Sequence, residues 1–215
     1  MPAKIIAIDG PAASGKGTLA RRIAQALNFA YMDTGLLYRA VGYEVLKLEQ
    51  NPEDEHVAMQ GLASFKAHMN LDEPALRTDT TSNAAAKVAA IPQVRAALLS
   101  LQRDFANNPG ELHEGAVLDG RDIGTVVCPD AQLKLFITAK DEIRAERRMK
   151  ELQSKGIEVT KASVLEDLRA RDARDSSRKT APLQVSHDAV VIDTSDLNVE
   201  EAFEKAMISV RSTFL

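Results

Sequence analysis

A glycine-rich loop near the amino terminus joins a short apolar segment to a longer amphipathic one. Residues 5–8 are typical of a strand that is buried on both faces, and Leu19, Ile23 and Leu27 recur at helical spacing after the loop. In this setting glycines let backbone N–H groups turn toward a phosphate, the helix N-terminus adds positive dipole, and a lysine reaches the outer phosphates. We therefore predict a phosphate-binding P-loop, made of Gly10, Pro11, Ala12, Ala13, Ser14, Gly15, Lys16, Gly17 and Thr18.

The loop departs from the strict P-loop pattern at the residue after its lysine. A Ser or Thr that ligates Mg²⁺ normally follows, whereas Gly17 stands here before Thr18. We therefore expect phosphates and water to hold most of the magnesium coordination, with Thr18 on a phosphate oxygen. A second apolar segment ends in Asp119. In P-loop proteins a carboxylate at the end of such a strand lies near the bound magnesium. Asp119 is the candidate for orienting the water shell of the metal, and the alternative is that it caps the next turn.

Strand-like and helix-like segments alternate along most of the chain. Further strands are predicted near residues 31–32, 116–118, 133–137 and 189–192, and further helices near 36–48, 140–154, 161–174 and from Asn198 onward. This alternation predicts an α/β fold, with a parallel five-stranded P-loop sheet flanked by helices. The alternation stops between residues 50 and 115, where helical stretches at 83–90 and after Pro92 predict a mostly helical insertion.

Composition and charge argue against several classes of protein. The net charge of −4 is unfavourable for wrapping nucleic acid, and the aromatic content of 4% is low for a protein that stacks single-stranded bases. No apolar run approaches the ~20 residues of a membrane span. The single cysteine, Cys128, cannot form an internal disulfide and is expected to pack as a small hydrophobe, which favours a reducing, cytoplasmic setting.

The order of motifs along the chain resembles that of the bacterial cytidylate (CMP) kinases, within the nucleoside monophosphate kinases. The Gly-Lys-Gly-Thr form of the loop is shared with the larger group, and the stretch at 120–127 (GRDIGTVV) is the most diagnostic of the cytidylate kinases. The matching stretches are residues 8–11, 32–39, 88–95, 118–127, 146–149 and 171–178. The resemblance implies transfer of the γ-phosphoryl group of ATP to CMP, and also to dCMP, with Mg²⁺.

The same resemblance implies roles for individual residues. Lys16, Arg39, Arg121 and Arg178 would be catalytic, since transfer between two anions needs cations aimed at both. Thr34, Arg39, Arg121 and Arg178 match positions at the CMP phosphate; Arg95 and Asp122 match positions at the cytosine edge; Arg171 and Asp175 match positions at the ribose. Arg147 and Arg148 would close over ATP with the P-loop. Ala86 stands where the family commonly has a serine that helps to read cytosine.

The family pattern also implies an organisation. We predict a single P-loop domain over residues 1–215, with its core at 1–33, 115–146 and 180–215. A monophosphate-binding arm would occupy residues 34–114, and a short lid with basic helices residues 147–179. We expect a cytoplasmic monomer that binds small molecules and neither nucleic acid nor a membrane. The alternative is a P-loop kinase for another nucleoside monophosphate or small acceptor, whereas a GTP-hydrolysing switch is disfavoured because the Asn-Lys-x-Asp element is absent.

Overall fold

The structure, a computed structural model, describes residues 3–72 and 74–214 and contains two compact units. We call the first the core unit; it comprises the chain up to Met32 and from Phe105 onward. We call the second the insert unit; it comprises Asp33–Asp104. The insert unit thus interrupts the core unit in sequence.

A five-stranded parallel sheet forms the centre of the core unit, as predicted. Its strands are β1 (Lys4–Asp9), β2 (Ala30–Asp33), β3 (Gly115–Gly120), β4 (Leu133–Thr138) and β5 (Val190–Asp193), in the order β2-β3-β1-β4-β5. Strand β1 lies in the middle, and Asp9 at its end is level with Gly120 of β3 and Phe136 of β4. The carboxyl ends of the strands therefore share one edge, where ligands bind in folds of this class.

Four helices of the core unit continue the predicted alternation, and the first and last of them pack on the sheet. They are α1 (Lys16–Leu27), α6 (Asp141–Ser154), α7 (Lys161–Ser177) and α8 (Val199–Phe214). Ile6, Ile8, Ile23, Leu135 and Val210 meet in one buried cluster between the sheet and helices α1 and α8. The start of α8 has a capping box, since the Asn198 side chain accepts from the Glu201 N–H at 2.9 Å and the Glu201 carboxylate accepts from the Asn198 N–H at 2.8 Å. The helix predicted from Asn198 onward is thus confirmed, with Asn198 as its cap.

Every element that the structure describes in the insert unit after β2 is helical. It contains α2 (Thr34–Lys47), α3 (Glu55–His68), a 3₁₀ turn (Pro74–Arg77), α4 (Asp79–Val88) and most of α5 (Pro92–Asn107). Helices α4 and α5 correspond to the two predicted stretches, whereas α3 was not predicted. Its buried stripe includes Ala58 and Gly61 beside Val57, Leu62 and Phe65, and such small residues give little hydrophobic periodicity.

Among the described helices, no single one is long and apolar enough to cross a membrane. Helices α4 and α5 reach that length and hydropathy only when taken together, and they are bent by 102° where they join.

Candidate active site

The P-loop turns tightly between β1 and α1. Gly10 has a φ of 152°, and a Cβ there would collide with the carbonyl oxygen of Ile137 on β4, so only glycine fits. Ala13 and Gly15 also adopt left-handed backbone conformations, with φ of 57° and 89°. Left-handed residues on both sides of Ser14 help to turn the backbone N–H groups into a concave anion-binding surface at the start of α1.

Two side chains of the loop face its interior. The ammonium of Lys16 reaches back across the loop and donates to the Pro11 carbonyl at 3.1 Å. Ser14 is fully buried, and its hydroxyl has no hydrogen-bond partner among the described residues. A buried hydroxyl in this position is expected to find its partner in a ligand, because an unsatisfied buried polar group is costly.

A cleft of about 550 Å³ opens beside the P-loop within the core unit. Arg147 and Arg148 of α6 line it, as does the segment between β5 and α8. Thr194, Leu197 and Asn198 of that segment were not predicted as site residues, although the segment follows the carboxyl end of a predicted strand. The other lining residues are Ala13, Ser14, Gly15, Lys16, Gly17, Thr18, Leu19, Arg21, Ile137, Glu151, Val199 and Ala202.

The two arginines of α6 have different surroundings. Arg147 donates to the hydroxyl of Thr194 at 2.9 Å and to its carbonyl at 2.6 Å, and the same hydroxyl donates to the Ser14 carbonyl at 3.1 Å. Arg147 therefore ties α6 to the segment after β5 and, through it, to the P-loop. Arg148 pairs with Glu151 at 2.8 Å. Burial would raise the pKa of Glu151, but hydrogen bonds from Lys155 and Arg148 lower it overall.

A carboxylate lies beside the P-loop on the β3 side. Asp119 is 4% exposed, and one of its oxygens accepts from the Tyr31 hydroxyl at 3.1 Å. A Cβ at position 17 would lie 3.2 Å from its other oxygen, so Gly17 keeps the loop close to this carboxylate. Among the described residues no group of three or more His, Cys, Asp or Glu side chains has the arrangement of a metal site. One carboxylate beside a P-loop still suits Mg²⁺, which keeps several waters and takes its remaining ligands from substrate phosphates.

Asp9, at the end of β1, is a site residue that the sequence interpretation missed. It is 5% exposed, and its two oxygens accept the backbone N–H groups of Ile123 and Gly124, each at 2.8 Å. Burial raises the pKa of Asp9 to about 6, although these two hydrogen bonds and the charge of Lys16 oppose the rise. Asp9 thus holds the turn that follows β3. This disfavours the alternative that Asp119 caps that turn.

The turn that Asp9 holds carries two of the predicted acceptor residues at its start. Arg121 and Asp122 follow β3, and Ile123–Val127 then forms one π-helical turn that was not predicted. The turn closes on Cys128, whose N–H donates to the Ile123 carbonyl at 2.7 Å. Cys128 is 7% exposed, so its predicted packing as a small hydrophobe is confirmed.

An excess of positive charge surrounds Asp175 on α7. Arg121 donates to its carboxylate at 2.8 Å, and a terminal nitrogen of Arg178 lies 4.0 Å from its other oxygen. Burial would raise the pKa of Asp175, but the charge and hydrogen bond of Arg121 and the charges of Arg171 and Arg178 together lower it. Three guanidinium groups around one carboxylate leave a local positive charge, which favours an anionic ligand.

The insert unit carries Thr34, Arg39 and Arg95, the predicted acceptor residues that lie outside the core unit. Thr34 and Arg39 belong to α2, and Arg39 donates to the Leu76 carbonyl at 2.8 Å and to the Ser82 hydroxyl at 3.1 Å. Arg95 of α5 is 7% exposed, and its guanidinium lies 5.5 Å from the ring centroid of Tyr38 on α2. Ala86 is half-buried on α4. Both arginines are thus held by contacts within the insert unit.

Known proteins match this chain over nearly its whole length. Residues 6–212 match the family model described as cytidylate kinase. A cytidylate kinase from Rhodospirillum rubrum is 56% identical over 203 residues, which cover 94% of this chain and 95% of the relative. A cytidylate kinase from Methylocella silvestris is 54% identical over 208 residues, covering 97% and 94%.

Solved structures are similar at much lower identity. A protein from Thermus thermophilus has a TM-score of 0.52 at 20% identity and covers 100% of both chains. A gluconokinase from Sinorhizobium meliloti has a TM-score of 0.50 at 15% identity and covers 99% of this chain and 94% of its own. At such identities the likeness shows the fold alone.

Proposed function

The chain belongs to the cytidylate kinase family, and from this we propose that it transfers the γ-phosphoryl group of ATP to CMP and dCMP, producing ADP and CDP or dCDP. The observation that carries the proposal on the structural side is the edge of the core sheet. There the P-loop follows β1, and Arg121, with its cluster around Asp175, follows the neighbouring strand β3. Such an edge suits one phosphate donor and one anionic acceptor.

On the donor side, we propose that the P-loop holds the phosphates of ATP. Its backbone N–H groups and the Ser14 hydroxyl would donate to phosphate oxygens, and Lys16 would leave the Pro11 carbonyl to bind the γ-phosphate. Arg147 and Arg148 would bind ATP where the cleft extends from the loop. Bound Mg²⁺ would neutralise phosphate charge, and Asp119 would orient its water shell.

On the acceptor side, we propose that Arg39, Arg121 and Arg178, with the hydroxyl of Thr34, hold the phosphate of CMP. The fork of a guanidinium fits a phosphate through two parallel hydrogen bonds. Arg95 and Asp122 would read the cytosine edge, and Arg171 and Asp175 would contact the ribose. The local positive charge around Asp175 supports this assignment.

The chemical step needs alignment rather than a strong base. An oxygen of the CMP phosphate already carries negative charge, so it attacks the γ-phosphorus directly. The bond from that phosphorus to the bridging oxygen breaks, and its electron pair leaves with ADP. We assign the catalytic role to Lys16 on the donor side and to the three arginines on the acceptor side, because they stabilise charge that moves between the nucleotides.

We also propose that the protein works as a cytoplasmic monomer without nucleic-acid or membrane partners. The net charge of −4 disfavours a nucleic-acid partner, and the single buried cysteine favours a reducing compartment. Size-exclusion chromatography with light scattering tests the monomer directly, and a dimer mass would refute it.

The activity is tested by measuring ADP release with CMP, dCMP, UMP, AMP and GMP in parallel. We expect the highest kcat/KM for CMP, with dCMP next, and turnover that depends on the acceptor. Lys16→Ala serves as the control for contaminating kinases, because it removes the cation at the transferring phosphate. An equal or higher kcat/KM for AMP or GMP would replace the proposal with a kinase for another acceptor.

A further inference from the structure

Arg144, on α6, is a buried arginine to which the proposed mechanism gives no role. It is 3% exposed, and its guanidinium donates to the Ala12 carbonyl of the P-loop at 3.0 Å and to the Ala139 carbonyl at 3.1 Å. It also pairs at 2.6 Å with two carboxylates, Asp141 at the start of its own helix and Asp172 on α7. One side chain thus binds the donor loop and the helix that carries the acceptor cluster.

The contacts of Arg144 continue toward the acceptor cluster. Asp172 lies one helical turn before Asp175 on α7, and Asp175 accepts from Arg121 at 2.8 Å. A polar path therefore runs from Ala12 through Arg144 and Asp172 along one turn of α7 to Asp175 and Arg121. All of these residues belong to the core unit.

We propose that Arg144 is a positioning residue that couples the P-loop to the acceptor-binding face of α7, so that ATP bound at the loop strengthens binding of CMP. The inference rests on the proposed function. Phosphate binding can move the P-loop backbone only together with the Ala12 carbonyl, and Arg144 transmits that movement to Asp172. Such coupling between two sites commonly amounts to about 5- to 150-fold in affinity.

Packing alone does not account for this arginine. Ala12, Ala145, Leu152, Val164 and Leu168 already form a buried apolar cluster between the P-loop, α6 and α7. A buried ion pair adds little to stability, because the removal of both charges from water offsets their attraction. The hydrogen bonds of Arg144 are directional, however, and its planar guanidinium can hold two partners in one fixed geometry.

Asp172→Asn is the sharpest test of the coupling. The amide keeps the shape of the side chain but removes the charge that pairs with Arg144, which keeps its bonds to Ala12, Ala139 and Asp141. Arg144→Lys is the second variant, because one ammonium replaces the three nitrogen donors. Arg169→Met is the matched control, since Arg169 also pairs with Asp141, at 3.1 Å, but its side chain is 57% exposed.

The measurement is calorimetric binding of CMP with and without a saturating non-hydrolysable ATP analogue. For the wild type and Arg169→Met we expect the analogue to lower the Kd for CMP at least about fivefold. For Asp172→Asn and Arg144→Lys we expect less than about a twofold change, with kcat/KM for CMP reduced about tenfold or more, because displaced reacting groups lose rate steeply. Thermal unfolding of each variant shows whether it is folded.

Two results would overturn the inference. One is a wild type that binds CMP equally well with and without the analogue; the other is a folded Asp172→Asn or Arg144→Lys protein with undiminished coupling. A wild type that binds the ATP analogue but not CMP would instead overturn the proposed function, and this inference with it.

Discussion

Replacing Asp9 with Asn is expected to remove one pH-dependent contribution to the free energy of unfolding. Burial at the end of β1 raises the pKa of this carboxyl from 3.8 to about 6. Between these values the folded protein binds a proton that the unfolded chain has released, so the free energy of unfolding falls as the pH rises. The contribution is therefore complete below about pH 4 and lost above the folded pKa.

The size of this contribution follows from the two pKa values. Each pKa unit corresponds to about 1.4 kcal/mol, so ionisation of Asp9 disfavours folding by about 3 kcal/mol near neutral pH. This value of about 3 kcal/mol already includes the effect of the two backbone hydrogen bonds at 2.8 Å, because they hold the pKa of Asp9 below the value that burial alone would give.

Urea denaturation of wild type and Asp9→Asn at a series of pH values measures this directly. The free energy of unfolding of wild type minus that of Asp9→Asn should decrease by about 2.5 kcal/mol from about pH 4 to about pH 8. Half of the full change of about 3 kcal/mol should be reached near about pH 5, midway between the two pKa values. The subtraction cancels titrations that the two proteins share. Asp188→Asn is the control, because the hydrogen bond from Lys134 lowers the pKa of Asp188 to about 2 and its titration ends below this range. A wild-type minus Asp9→Asn difference that is constant with pH would refute the reasoning.

Four further substitutions test the proposed roles through kinetics. Lys16→Ala should reduce kcat by about 100-fold or more while leaving the protein folded, since it removes a preorganised cation; retention of a tenth of wild-type kcat would contradict its role at the P-loop. Arg39→Ala and Arg178→Ala should each raise KM for CMP and lower kcat, because both are assigned to the acceptor phosphate; an unchanged dependence of rate on CMP would assign them to structure alone. Asp119→Asn should raise the Mg²⁺ concentration needed for half-maximal rate about tenfold, the scale of one charge-assisted contact; an unchanged Mg²⁺ dependence would remove Asp119 from the metal's water shell.

The sheet and the P-loop could be predicted from the sequence because their signals are local. The apolar strand, the glycine-rich loop and the helical periodicity after it are contiguous, and β1 and α1 lie where they indicate. Helix α3 has no such signal, since its buried face is partly Ala and Gly. The π-helical turn at Ile123–Val127 was missed for another reason: Asp9, more than 100 residues earlier in the chain, holds its first N–H groups.

The contacts within the site depend on residues that are distant in sequence. Arg121 and Asp175 are 54 positions apart, and spacing alone does not indicate that they pair; the family order suggested roles for both but not this contact. Arg144 is one of several charged residues of α6, and only the packing of the P-loop and α7 distinguishes it from its exposed neighbours. The family pattern therefore indicated basic helices at 147–179, whereas the choice of positioning residues required the tertiary structure.

Asp122 is expected to distinguish cytosine from uracil in the acceptor. The carboxylate of Asp122, which is 6% exposed, can accept from the amine of cytosine but would face the lone pairs of the uracil carbonyl. A well-made contact to a base edge discriminates by about 1–3 kcal/mol, so Asp122→Asn should lower the ratio of kcat/KM for CMP to that for UMP about tenfold. The amide of Asn can also donate to the uracil carbonyl. The ratio therefore falls both because kcat/KM for CMP decreases and because kcat/KM for UMP increases. Ala86→Ser should raise the ratio by up to about tenfold, the scale of one added hydrogen bond. If Asp122→Asn leaves the ratio unchanged, Asp122 does not read the base.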